Sequence, residues 1–203
     1  MKRIRPPAAW PPGAAGFLAL ALVVPALAVT GGSRRGHASS PGGRASSLQL
    51  TSPAFANGRA IPLEHTCEGK DISPPLAWSG VPAGTKSLAL LVDDPDAPDP
   101  AAPKTTWTHW VLVNLPPADA ALPAGVKATA LPAGTGQGLN DWRQPGYRGP
   151  CPPVGRHRYV HHLYALDRVL EFKHPPARKD LVEAIKGHVI AEAELVGTYQ
   201  KGQ

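Results

Sequence analysis

Ser87-Leu88-Ala89-Leu90-Leu91-Val92 is a short apolar run that ends in Asp93-Asp94-Pro95-Asp96-Ala97-Pro98, an acidic, proline-rich stretch. A run this short, closed by prolines, predicts a buried strand that feeds a loop. Two further runs read the same way. Trp107 to Leu115 is rich in β-branched and aromatic residues, and His157 to Leu166 alternates. In the latter, Tyr159, His161, Leu163 and Ala165 fall on one face, and Arg158, Val160, His162, Tyr164 and Leu166 on the other. Pro 25 and Gly 21 in 203 residues are well above ordinary usage, so many turns and short elements are expected around these three strands.

Helix enters late. Asp180 to Lys186 places Leu181, Ala184 and Ile185 on one face, with Asp180 suited to cap or charge-match the first turn and Gly187 to end it. Beyond it, Ala191-Glu192-Ala193-Glu194-Leu195 alternates with period two, which predicts a closing strand over Val189 to Tyr199. The expected architecture is mainly β, with two packed sheets, long proline-rich loops and one or two short helices near the C-terminus.

The net charge of +6 suggests nucleic acid until the charges are located. Six basic residues (Lys2, Arg3, Arg5, Arg34, Arg35, Arg44) precede Leu48, and every acidic residue follows it. From Leu48 onward basic and acidic residues balance at 15 each, so the folded part lacks the positive field that phosphate-backbone binding needs.

The basic start, the apolar stretch Ala14 to Val24 and Ala26-Leu27-Ala28 after Pro25 read as an export signal over residues 1–28, cleaved after Ala28. Left uncleaved, the same segment would serve as an anchor. Residues 29–47 are Gly, Ser, Arg and Ala with little to bury, a flexible tether. The domain proper is residues 48–203, large enough to bury roughly two thirds of its unfolded surface in one core. The expected destination is periplasmic or extracellular.

Several chemistries leave no trace. The sequence has no glycine-rich phosphate loop before a helix, no zinc-type cysteine pairs and no His-Glu-x-x-His helix. His161 and His162 are neighbours on a strand and face opposite ways, which argues against a shared metal. No cofactor and no metal are expected.

What remains is four short strings at strand ends: Asp93-Asp94-Pro95-Asp96-Ala97-Pro98, Trp107-Thr108-His109-Trp110-Val111, Gly149-Pro150-Cys151-Pro152-Pro153 and Gly155-Arg156-His157-Arg158-Tyr159. Together with Ser73 to Trp78 and Gly187 to Tyr199, in this order, they resemble the phosphatidylethanolamine-binding protein family, in particular its bacterial Raf-kinase-inhibitor-like branch. The resemblance spans about Leu50 to Tyr199.

It implies an antiparallel Greek-key two-sheet β fold with an anion pocket at one end. By position, Asp94, Ala97 and Pro98 would form one wall, with His109 on the next strand. Gly149, Pro152 and Pro153 would form the rim, and His157 and Tyr159 the far side. Cys151 and Pro150 stand where animal relatives carry small residues, which leaves the rim width open. Asp96 and Arg158 read as a salt bridge bracing the loops. Trp78, Trp107 and Trp110 read as core or pocket-wall aromatics, and the bland reading of His109 and His157 is a core histidine satisfied by a carbonyl.

Cys67 and Cys151 are the only thiols. Either they are bonded in an oxidising compartment, closing a loop worth roughly 4.5 kcal/mol, or they are two buried free thiols beside the pocket.

The constellation favours binding over turnover. Two imidazoles can donate to an oxyanion, Asp94 can orient one of them or receive an ammonium group, and no nucleophile with a base and an orienting residue is evident. The leading expectation is therefore a non-catalytic binding protein for a small anionic or phosphorylated ligand, such as a phospholipid head group. Two alternatives are an inhibitor or modulator that docks on another protein through the pocket end, and a hydrolase with His109 or His157 as base.

Overall fold

The computed structural model describes residues 47–202. The segment read as an export signal, and all of the tether but Ser47, lie outside the described residues. Among the described residues, no helix is long and apolar enough to cross a membrane.

The elements are β1 (Gln49–Thr51), β2 (Arg59–Ala60), β3 (Leu76–Ser79), β4 (Ser87–Asp94), β5 (Trp107–Leu115), β6 (Ala120–Leu122), β7 (Gly136–Gln137), β8 (Arg156–Leu166), α1 (Arg178–Ala184) and β9 (Val189–Gln200). They form a three-stranded sheet, β1-β3-β6, and a six-stranded sheet, β2-β9-β8-β4-β5-β7. Among the described residues the fold is mainly β, with two sheets and a single α-helix near the C-terminus. One pairing departs from the antiparallel expectation, because β2 runs parallel to β9.

The alternation of β4 explains how the layers assemble. Leu88, Leu90 and Val92 join Trp110, Leu112, Tyr159, Leu163 and Leu195 in a core shared with Leu50, Leu76, Trp78 and Leu122 of the small sheet. Ala89 and Leu91 face the other way and pack with Val111, Val113, Leu166, Leu181 and Ile185 beneath α1. A strand with cover on both faces needs apolar residues at every position, which is why β4 is continuous in character while β8 and β9 alternate.

The helix starts two residues earlier than the apolar periodicity suggests. Asp180 accepts the backbone N–H of Ala177 at 3.0 Å, tying down the entry of the first turn. Gly187, at φ 76°, reverses the chain after it.

β4 ends where β5 and β8 begin, so Asp94, Trp107, His109, His157 and Tyr159 gather at one end of the large sheet.

Candidate functional site

A cavity of about 520 Å³ opens at that end, lined by Asp94, Ala97 and Pro98, by His109, His157 and Tyr159, and by Pro152 and Pro153. Eight of the nine sequence-predicted pocket residues thus meet around one space. Gly149 stands apart. Its N–H donates to Asp71 Oδ1 at 2.6 Å, and a Cβ built there would meet His65 O at 2.5 Å. The glycine serves a close approach between two loops, not the cavity rim.

Lys104, Thr105, Trp107, Trp142 and Cys151 complete the lining. Lys104, Thr105 and Trp142 were not singled out from the sequence. The N–H groups of Lys104 and Thr105 both donate to Ala97 O, at 2.9 and 3.2 Å, folding the loop after β4 back over the cavity. Ala97–Pro98 is a cis peptide. Trp142 packs edge-on against Trp107 and His109, with ring centroids 5.4 and 5.2 Å apart. Its placement depends on Asn140, whose Oδ1 accepts the N–H groups of Trp142 and Gln144. Trp78 and Trp110 are core residues.

Asp94 and His157 form a buried pair, with Oδ2 and Nδ1 2.7 Å apart. The other Asp94 oxygen accepts the N–H of Asp96 at 2.8 Å, and His157 Nε2 donates to Val154 O at 2.9 Å. Burial pushes the Asp94 carboxyl above the usual carboxylate range, against the opposing pull of the His157 hydrogen bond. Counting hydrogens, the pair holds one proton between Oδ2 and Nδ1 and a second on Nε2, so it is electrically neutral wherever the shared proton sits. The expectation that both imidazoles donate to an oxyanion is corrected here: both His157 nitrogens are already engaged, and the ring is a positioned wall.

His109 differs. Its Nδ1 lies 2.6 Å from Arg148 O and must donate to it. Burial holds the ring down to about 4, so at neutral pH it carries no second proton and Nε2 presents a lone pair. A local irregularity aims it. Val92 pairs with Trp110 while Asp93 pairs with Thr108, leaving His109 as the extra residue of a bulge. Both His109 and Trp110 consequently face inward.

Tyr159 lies between the histidines, perpendicular to His109 at 5.1 Å and stacked with His157 at 6.4 Å. Its hydroxyl is buried and has no hydrogen-bond partner among the described residues. Burial also pushes the phenol well above its ordinary range, keeping it a neutral O–H donor.

The supports are strong. Arg158 grips Asp96 with two parallel contacts, Nε to Oδ2 at 2.9 Å and an amino nitrogen to Oδ1 at 2.6 Å, and its own N–H adds a third at 2.9 Å. This is the brace expected from the sequence. Cys67 and Cys151 are joined in a disulfide, which resolves the choice between bond and free thiols. Tyr147 Oη donates to His65 O at 2.8 Å and Cys67 N to Pro150 O at 3.0 Å, so the segment behind the rim is tied at several points.

Comparison with known proteins gives a consistent result. A family model described as phosphatidylethanolamine-binding protein matches residues 51–200. A UPF0098 protein of Methanothermobacter thermautotrophicus is 49% identical over 156 residues, covering 76% of this chain and all of the relative. Among solved structures, a phosphatidylethanolamine-binding protein homologue of Chlamydia trachomatis, CT736, superposes with a TM-score of 0.70 at 45% identity, covering 76% of this chain and 98% of its own. YbcL of E. coli gives 0.69 at 34% identity, covering 76% and 99%.

Proposed function

The chain belongs to the phosphatidylethanolamine-binding protein family, and we propose on that premise that it is a non-catalytic binding protein whose end cavity takes a small anionic ligand of the phosphate or phosphoethanolamine type. The observation that carries this reading is the Tyr159 hydroxyl, a buried donor with no acceptor among the described residues, on a side chain that lines a cavity large enough for a head group. A buried hydroxyl left unmatched costs about 1–3 kcal/mol, and a ligand oxygen placed there recovers that cost. Lys104 supplies a cation to the same lining. His109 Nε2 accepts from a protonated ligand oxygen or takes a proton as the anion arrives.

Passive binding is favoured by the state of His157, which has no free nitrogen to act as a base. The proposal extends to an exported destination, where a surface disulfide such as Cys67–Cys151 persists. Docking on another protein through this end is the second reading, favoured by Val154, which is 55% exposed next to the lining residue Pro153.

The test is a thermal-shift titration with phosphate, phosphoethanolamine and acetate. Wild type should gain stability with the phosphate ligands by mass action, and Tyr159→Phe should gain much less. No shift in wild type with any of the three rejects the anion-binding reading.

A further inference from the structure

The outer face of the six-stranded sheet, opposite the cavity, carries a second cluster. His162 on β8 is the cross-strand partner of Glu194 on β9, and Glu192 lies two residues away on the same face. His162 Nδ1 is 3.1 Å from Glu194 Oε1 and 3.2 Å from Glu192 Oε1, and the three potential ligand atoms all lie within 4.8 Å of one another. We propose that His162, Glu192 and Glu194 form a binding site for a first-row divalent cation.

Geometry is the first argument. At a metal–ligand distance of about 2.1 Å, neighbouring ligand atoms are separated by roughly 3.0 Å at a right angle and roughly 3.4 Å at the tetrahedral angle. The two separations from His162 fall inside that interval and the third, between the carboxylate oxygens, is within 4.8 Å, so side-chain rotation brings all three atoms onto one ion.

Charge is the second. Two like-charged carboxylates on one strand face converge on a single imidazole nitrogen. One N–H can aim its proton at only one of them, and both contacts are longer than the roughly 2.7–2.9 Å of a good charge-assisted hydrogen bond. A divalent ion bound by the deprotonated nitrogen serves both carboxylates at once.

The scaffold is the third. β8 and β9 pair along nearly their whole lengths, and the His162 ring is held parallel to Tyr164 at 5.9 Å. Mixed nitrogen and oxygen donors on a rigid sheet suit zinc, cobalt or manganese, and three protein ligands leave coordination open to water.

The probe is zinc, titrated calorimetrically into the full chain, with cobalt absorption as a second readout. The expected result is one ion per chain, with affinity falling about tenfold or more in His162→Ala and in the paired variant E192Q/E194Q. The paired variant removes only exposed charge, so it separates loss of the site from loss of the fold. E183Q, on the surface of α1, should bind as wild type does. Absence of zinc binding by wild type, or binding that survives both sets of substitutions, overturns the proposal.

Discussion

Asp94 and His157 are bound to each other inside the cavity wall, 2.7 Å apart, and each is held by a backbone group on its far side. The pair is self-sufficient, so its disruption should register first as lost stability. Asp94→Ala leaves a buried imidazole nitrogen and the Asp96 N–H without their partner and should cost about 1–3 kcal/mol for each group in urea unfolding. Asp94→Asn preserves an acceptor for the Asp96 N–H and should cost less.

Tyr159→Phe is expected to go the opposite way. Removing a hydroxyl that has no partner among the described residues should leave the ligand-free protein as stable as wild type, or up to about 1 kcal/mol more stable, while the phosphate-dependent shift declines. A variant that loses stability without ligand would place the hydroxyl in a structural role.

Acid should weaken the fold through two buried imidazoles. His109 and His161 are both held down to about 4 by burial, against an ordinary value of 6.5. The unfolded chain therefore binds more protons between those values, and stability falls as pH drops from about 6.5 towards 4, by about 3 kcal/mol for each ring. Asp93 and Asp94, whose carboxyls burial raises, bind protons more readily in the fold and oppose the loss at the acid end of the window. Thermal midpoints across this range check the sign, and His161→Phe should flatten the slope.

Cys67 and Cys151 close a separation of 84 residues. Replacing both with serine should cost about 2–5 kcal/mol in denaturant unfolding. Because Cys151 also lines the cavity, phosphate affinity should fall in the same variant.

Gly149→Ala tests the corrected role of that glycine. A methyl group there meets backbone and carboxylate atoms that cannot easily give way, so the midpoint of thermal unfolding should fall markedly. Unchanged stability would mean that the loops around His65 and Asp71 yield more readily than their contacts indicate.

How much of this was legible in the sequence follows from element length. The β4, β5, β8 and β9 runs contain enough residues for buried or alternating patterns to emerge, and each was read close to its observed bounds. β2 and β7 have two residues each, too few for any periodicity to show. Strand-borne site residues were recovered through family resemblance. Lys104 and Trp142 were missed because they sit in loops shaped by irregular local hydrogen bonds, to Ala97 O and to Asn140 Oδ1, which leave no periodic pattern in the sequence. Gly149 was misplaced for a related reason: a Gly-Pro-Cys-Pro-Pro string announces a tight turn but not which of its sides meets the ligand. The bulge at His109 was also hidden, since only the register against β4 defines it.

Glu68 receives both the Tyr199 hydroxyl and the N–H of Gly202, the latter at 2.8 Å, and it follows directly on Cys67. Cys67 is covalently joined to the cavity-lining Cys151. The last residues described are therefore linked to the cavity wall by one carboxylate and one disulfide. A substitution at Tyr199 or Gly202 would therefore be felt through Glu68 at the disulfide, so a binding defect in such a variant should be compared with Glu68→Gln before it is assigned to the cavity itself.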